Sequence, residues 1–231
     1  MKKLLLASTL IAAMTGSSIA AGDDIKIGVL LGFTGPIESL TPDMADSTEL
    51  AFKEASDSGL LLGGRKIIPV RADSTCVDSA AATAAAERLI SSEGVVAIVG
   101  ADCSGVTSAV ANNVAVPNGV VLLSPSATSP GLSTIKDNGF FFRTSPSDAR
   151  HGQVLAVVMK SRGVTDIAIT YTNNDYGKGL ADSFGSAFKA IGGKISITAA
   201  HEDGKADYSA EVGALSAAGS KYLAVFGYLD Q

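Results

Sequence analysis

The sequence predicts an α/β fold of two lobes, each a parallel sheet covered by helices. Strand-like runs alternate with helix-like runs from Asp24 to Phe226. Several strands, such as Val95 to Val99 (VVAIV), are continuously apolar rather than alternating. Strands of that kind are buried on both faces, which in a β/α chain means parallel sheets between helices. The alternation breaks once, in a stretch from Ser124 to Arg143 rich in Ser, Thr, Pro and Gly. The expected division is therefore a leader, 1–20, a first lobe, 21–145, and a second lobe, 146–231. The second lobe has three or four strands and no helix after its last, so it is expected to be incomplete.

The leader opens on Lys2-Lys3, continues in an apolar run from Leu4 to Met14, and closes on small residues with cleavage expected after Ala20. This is the tripartite pattern of a secretory signal, and the run is too short to span a bilayer, which takes about 20 apolar residues. Asp24 to Leu31 reads as the first strand. Thr41-Pro42-Asp43 reads as a helix start, with Thr41 as cap, Pro42 at the first helical position and an acid near the positive end of the dipole. That helix ends at Gly59. A strand from Lys66 to Ala72, an Ala-rich helix from Asp78 to Ile90 and the strand Val95–Val99 follow. Ser104 is placed to cap a helix running from Gly105 to Val116, before a strand from Val120 to Leu123. Phe140 to Arg143 is a short strand, and Ser147 caps a helix that stops before Gly163. Asp166 to Tyr171 is a strand. Asp175 to Ile191 is a helix with Leu180, Phe184, Ala187 and Ile191 inward. A strand from Ile195 to Ala200, a helix capped by Asp207 and running to Ala218, and a strand from Tyr222 to Phe226 complete the series.

Composition narrows the function. The chain has 231 residues, 46% hydrophobic and 18% charged, with a net charge of −5, and without the leader the net charge becomes −7. An acidic chain lacks the basic footprint of nucleic-acid binding. His151 and His201 lie fifty residues apart and follow no metal-ligand spacing, so neither metal nor cofactor is expected. Trp is absent and aromatics are 6%, which argues against a carbohydrate site built from stacked rings. A secreted chain folds in an oxidising compartment, where Cys76 and Cys103, each following a strand end, can pair; two buried free thiols are the alternative.

Ligands of open parallel sheets bind beyond the carboxyl ends of the strands. Three loops there carry polar groups. Gly100-Ala101-Asp102-Cys103-Ser104-Gly105 opens into a helix whose free N–H groups favour an anion, although Ser104 could simply cap its own helix. Ser124-Pro125-Ser126-Ala127-Thr128-Ser129-Pro130 offers hydroxyls to the same crevice, or is a plain surface loop. Thr172-Asn173-Asn174-Asp175-Tyr176-Gly177 places Tyr176 at a helix start in the second lobe, as a crevice wall or as packing. Enzyme signatures are missing. Asp102 stands where a G-x-S-x-G elbow needs its first Gly, no G-x-x-x-x-G-K-[ST] is present, and neither His sits in a catalytic pattern. Binding without chemistry is the expectation, with a secreted hydrolase or amidase as the competing class.

The ordered set DIKIGVLLGFTGP, VGADCSGVTS, VVLLSPSATSP, FFFRTSPSD, NNDYGKGLADSF and VFGYLDQ resembles the periplasmic substrate-binding proteins of ABC transporters, in particular the leucine/isoleucine/valine-binding type. The resemblance implies two Rossmann-like lobes (the periplasmic binding protein-like I fold) joined by a hinge and closing on an amino acid. It implies a Cys76–Cys103 bridge. The ligand set it implies is Ser104, Ser126, Ala127 and Thr128 in the first lobe, holding the carboxylate through hydroxyls and backbone N–H, with Tyr176 and Tyr228 as aromatic walls in the second. Leu40 stands where the leucine-type proteins carry a Tyr. The acid that binds the ligand ammonium would lie beyond Gln231, and the chain reads as an N-terminal fragment of a longer monomeric protein. A permease in the inner membrane is the implied partner and the periplasm the implied location. A sensory domain of the same fold, or a binder of small amides or urea, are the alternatives.

Overall fold

The protein is described by a computed structural model covering residues 23–61 and 63–228. The expected leader lies outside the described residues. Among the described residues eight strands form two sheets, all their pairings parallel. The first has the order β2-β1-β3-β4-β5, built from β1 (Ile25–Leu31), β2 (Ile67–Asp73), β3 (Ala97–Gly100), β4 (Val121–Ser124) and β5 (Phe141–Arg143). The second has the order β7-β6-β8, built from β6 (Asp166–Thr172), β7 (Lys194–His201) and β8 (Leu223–Phe226). In the first sheet Val29 pairs with Arg71 on one side and Val99 on the other, so β1 is central, and all four residues from Gly28 to Leu31 are buried.

Helices α1 (Thr41–Asp57), α2 (Ser79–Ser91) and α3 (Ser104–Val110) cover the first sheet, and α4 (Asp148–Ser161), α5 (Asp175–Ala190) and α6 (Ser209–Ala217) belong with the second. Each sheet has its own core. Leu30, Leu89, Ile98, Val106 and Leu122 pack on one face of the first sheet, while Val29, Leu31 and Ala45 pack on the other under α1. Around the second, Ile167, Ile169, Leu180, Phe184, Phe188 and Phe226 form a cluster in which Phe184 stacks on Phe188 and meets Phe226 edge-on. Fully burying a side chain of this size contributes roughly 1.5–3 kcal/mol, so these two clusters hold the sheets and set where their strand ends lie. A close fit between α4 and α5 depends on Gly152, where a Cβ would meet the Phe184 nitrogen at 2.5 Å.

Several expected caps shift by one residue. Thr41 is the first helical residue of α1, not its cap: Leu40 holds that place, and the buried Thr41 hydroxyl donates to the Gly32 carbonyl at 3.0 Å. Tethering the helix to the end of β1 takes precedence over capping. Ser104 likewise is not a cap; Cys103 holds the position without a side-chain bond. The helix expected to run to Val116 is α-helical only to Val110 and continues as a π-helical turn, Ala111–Ala115. Ser147 caps α4 as expected, while Asp78, expected as the first helical residue, is the cap of α2. Asp207 sits one residue ahead of the cap of α6, where it still accepts the Ser209 N–H at 2.9 Å. Ile191, expected inward, falls after the end of α5 and is 40% exposed.

Candidate functional site

The carboxyl ends of β1, β3 and β4 open on a cavity of about 330 Å³, within the range of small-molecule sites. Of two wider grooves, one of about 930 Å³ lies against α4 and α5, and one of about 780 Å³ runs between the loops after β1, β2 and β3 and those after β6 and β7. The smaller cavity is the candidate because it sets the hydroxyls after β3 and β4 against apolar surface and the two tyrosine rings. Its floor comes from Asp102, Cys103 and Ser104 after β3, with Ser126 and Thr128 after β4; Ile37, Leu40 and Met44 bring apolar surface, and Tyr176 and Tyr228 close the far side. Gly100 makes the floor possible. Its φ is +136° and a Cβ there would lie 2.0 Å from the Leu30 carbonyl oxygen, so only glycine lets β3 leave the sheet at this point.

The bridge between Cys76 and Cys103, with Cα atoms 5.1 Å apart, ties the end of β2 to the residue before Ser104. Asp102 is buried. Its carboxylate accepts the Gly32 N–H at 2.7 Å, the Ser74 hydroxyl at 3.0 Å and the Cys103 N–H at 3.0 Å. Burial nevertheless wins over these bonds and raises its pKa above the usual 3.8. Among the described residues lining the cavity there is no Lys, Arg or His.

The three hydroxyls differ in polarity. Ser104 Oγ accepts the backbone N–H of Thr128 at 3.2 Å and of Ser129 at 3.1 Å, so both its lone pairs are engaged and its proton is left to give. Ser126 already donates, to the Asp102 carbonyl at 2.9 Å. Thr128 donates to Asp148 Oδ2 at 2.6 Å, while the Asp148 N–H returns a bond to the Thr128 carbonyl at 2.9 Å. Ser126 and Thr128 thus keep lone pairs for a further partner. Asp148 is 3% exposed and also lies 3.2 Å from His151 Nδ1. Expecting all three hydroxyls to donate overlooked Asp148, which takes the Thr128 proton.

Ala127 does not line the cavity. It is 1% exposed and packs in the first core, with its carbonyl accepting from Ser145 and Arg143. Its small side chain lets the loop fold under itself between the two hydroxyls. Tyr176 and Tyr228 follow the carboxyl ends of the adjacent strands β6 and β8, and their rings stack at 5.3 Å with 25° between planes. Burial raises the pKa of both phenols, reinforced at Tyr176 by the Asp148 charge, so both stay protonated. Sequence reading passed over Asn174, which caps α5 by accepting the N–H of Tyr176 and of Gly177. An Asn just before Asp175 and a helical run is an N-cap signature that could have found it.

A two-sheet α/β chain with a polar-floored, aromatic-walled cavity at its strand ends has the form of a small-ligand binding protein. The chain matches the periplasmic binding protein family over residues 24–231, and it belongs to that family. It is 32% identical over 229 residues to a Leu/Ile/Val-binding protein homolog of Brucella melitensis, covering 97% of this chain and 60% of that one. It is 26% identical over 229 residues to the leucine-specific-binding protein of Salmonella typhimurium, covering 97% and 61%. Among solved structures it is similar to a leucine binding protein of Thermotoga maritima, with 25% identity, TM-score 0.77 and coverage of 87% and 55%. It is also similar to a branched-chain amino acid transporter substrate binding protein of Streptococcus pneumoniae in complex with isoleucine, with 28% identity, TM-score 0.72 and coverage of 87% and 56%. These relatives are binding proteins rather than enzymes. The chain spans about 60% of the length of the Brucella and Salmonella relatives. No helix among the described residues is long and apolar enough to cross a membrane.

Proposed function

We propose that this chain is the ligand-gripping part of an extracytoplasmic solute-binding protein that captures an amino acid and delivers it to an ABC transporter permease. One observation carries the reading: the cavity floor offers a free proton at Ser104 and free lone pairs at Thr128 and Ser126. A carboxylate accepts the Ser104 proton, and an ammonium donates to the Thr128 oxygen, behind which the Asp148 carboxylate supplies negative charge. A zwitterion fits both; a simple carboxylic acid satisfies only one. Charge-assisted bonds of this kind contribute about 1.5–3 kcal/mol each. The apolar surface of Ile37, Leu40 and Met44 suits an aliphatic side chain.

The ligand set is then Ser104, Ser126, Thr128, Tyr176 and Tyr228. The division into lobes 21–145 and 146–231, a hinge near residue 145 and closure of the rings over the ligand belong to the same reading. So do a leader at 1–20, a periplasmic location and a monomeric state. The test is calorimetry on the full-length protein with L-leucine, 4-methylpentanoate (leucine without its amino group) and benzoate. Leucine is expected to bind at least about tenfold more tightly than 4-methylpentanoate. Equal affinity for the two, or preference for benzoate, would overturn the reading.

A further inference from the structure

The two walls of the cavity that face the first lobe come from distant parts of the chain, and a single side chain touches both. Asn174 Oδ1 accepts the Tyr176 N–H at 3.0 Å and the Gly177 N–H at 3.1 Å. With its oxygen committed to two donors, the amide orientation is decided, and Nδ2 must face the other way. There it donates to Tyr228 Oη and to Thr172 Oγ1, each at 3.3 Å. Thr172 in turn donates to the Asp203 carboxylate, so its oxygen is oriented to accept from Asn174.

From this geometry we infer that Asn174 is the positioning residue of the aromatic wall: its oxygen fixes where Tyr176 leaves the helix start, and its N–H fixes the Tyr228 ring against it. The inference rests on the proposed amino-acid site and adds to it the group that sets the wall's shape. Tyr228 follows β8 outside any helix or strand, and the packing of its ring on the first core and on Tyr176 is apolar contact that does not set the phenol oxygen. A hydrogen bond at that oxygen does. Because Tyr228 Oη accepts from Asn174, its own proton remains available toward the cavity. Burial keeps that phenol protonated, against the opposing pull of the Asn174 bond.

The test compares the full-length protein with Asn174→Ser, Tyr228→Phe and the double variant. Asn174→Ser keeps an oxygen to cap α5 but is too short to reach Tyr228, whereas an Asp would accept the phenol proton and keep the contact. Near-ultraviolet circular dichroism of the ligand-free protein reads the immobilised Tyr pair, and calorimetry with L-leucine reads the site. Asn174→Ser is expected to melt within about 3 °C of the parent, since its cap survives. It is expected to lose the part of the tyrosine band that Tyr228→Phe also loses. Leucine affinity should fall about tenfold in each single variant and no further in the double. An unchanged band in Asn174→Ser, or losses that multiply in the double variant, would overturn the inference. Should Asn174→Ser melt far below the parent, Tyr228→Phe alone decides, because full leucine affinity without the phenol oxygen means Asn174 does nothing for the site. If the parent takes up no leucine, the amino-acid reading falls while the dichroism comparison still judges Asn174.

Discussion

Replacing Ser104 with Ala should destabilise the protein even before any ligand is added. Its hydroxyl is 1% exposed with its residue and accepts two backbone N–H groups, those of Thr128 and Ser129. Truncation leaves both donors without a partner. A stranded buried N–H costs about 1–3 kcal/mol. Ser129 is buried, whereas Thr128 faces the cavity and can recover a water, so the combined loss should be about 2–4 kcal/mol. Against a total stability of about 5–15 kcal/mol this is a large fraction. Urea unfolding followed by far-ultraviolet circular dichroism is the assay. With a slope of about 2 kcal/mol/M the midpoint should fall by about 1–2 M, the slope itself unchanged. Ser126→Ala is the internal control, because it removes one bond to a carbonyl beside the cavity and should cost about 0.5–1.5 kcal/mol. If Ser104→Ala unfolds within about 0.5 kcal/mol of the parent, or loses less than Ser126→Ala, the hydroxyl is not the acceptor described above.

Gly152→Ala would press a Cβ to 2.5 Å from the Phe184 nitrogen and 2.7 Å from the Ser183 carbonyl carbon. Backbone cannot yield as a side-chain tip does, so a loss of about 3 kcal/mol and a melting point lower by about 6–12 °C are expected; a near-parental melt would contradict the α4–α5 packing. Reducing the Cys76–Cys103 bridge, which spans 27 residues of sequence, should cost about 3.5 kcal/mol by chain entropy. Thiol titration before reduction should find none, and two titratable thiols would refute the bridge. Asp102 should titrate above 3.8, as read by carbon-13 NMR of its carboxyl, with the signal lost in Asp102→Asn. A raised native pKa means the folded state holds the proton more tightly. The contribution to stability is therefore full below 3.8 and fades as pH rises through the native value. An Asp102 midpoint at 3.8 would remove that contribution, and one below 3.8 would reverse its sign.

What the sequence by itself determined is the architecture and where to look for a site. Continuous apolar runs such as Val95–Val99, alternating with helix patterns, call for parallel sheets covered by helices, although β3 itself spans Ala97–Gly100 and Val96 ahead of it is 60% exposed. Hydroxyls placed after two adjacent strands, and Tyr176 at a helix start, then mark the sheet mouth as the place to bind. What only the tertiary structure decided is the direction of each hydrogen bond. Thr128 and Asp148 are twenty residues apart, yet their 2.6 Å contact turns a presumed donor into an acceptor. Ser104 leaves its capping position for two N–H groups across the loop, and Asn174 reaches Tyr228 fifty-four residues away. A hydroxyl or an amide carries both donor and acceptor character, so residue type states only the capacity. Which end is spent depends on partners brought by folding from another strand, and local periodicity carries no trace of them.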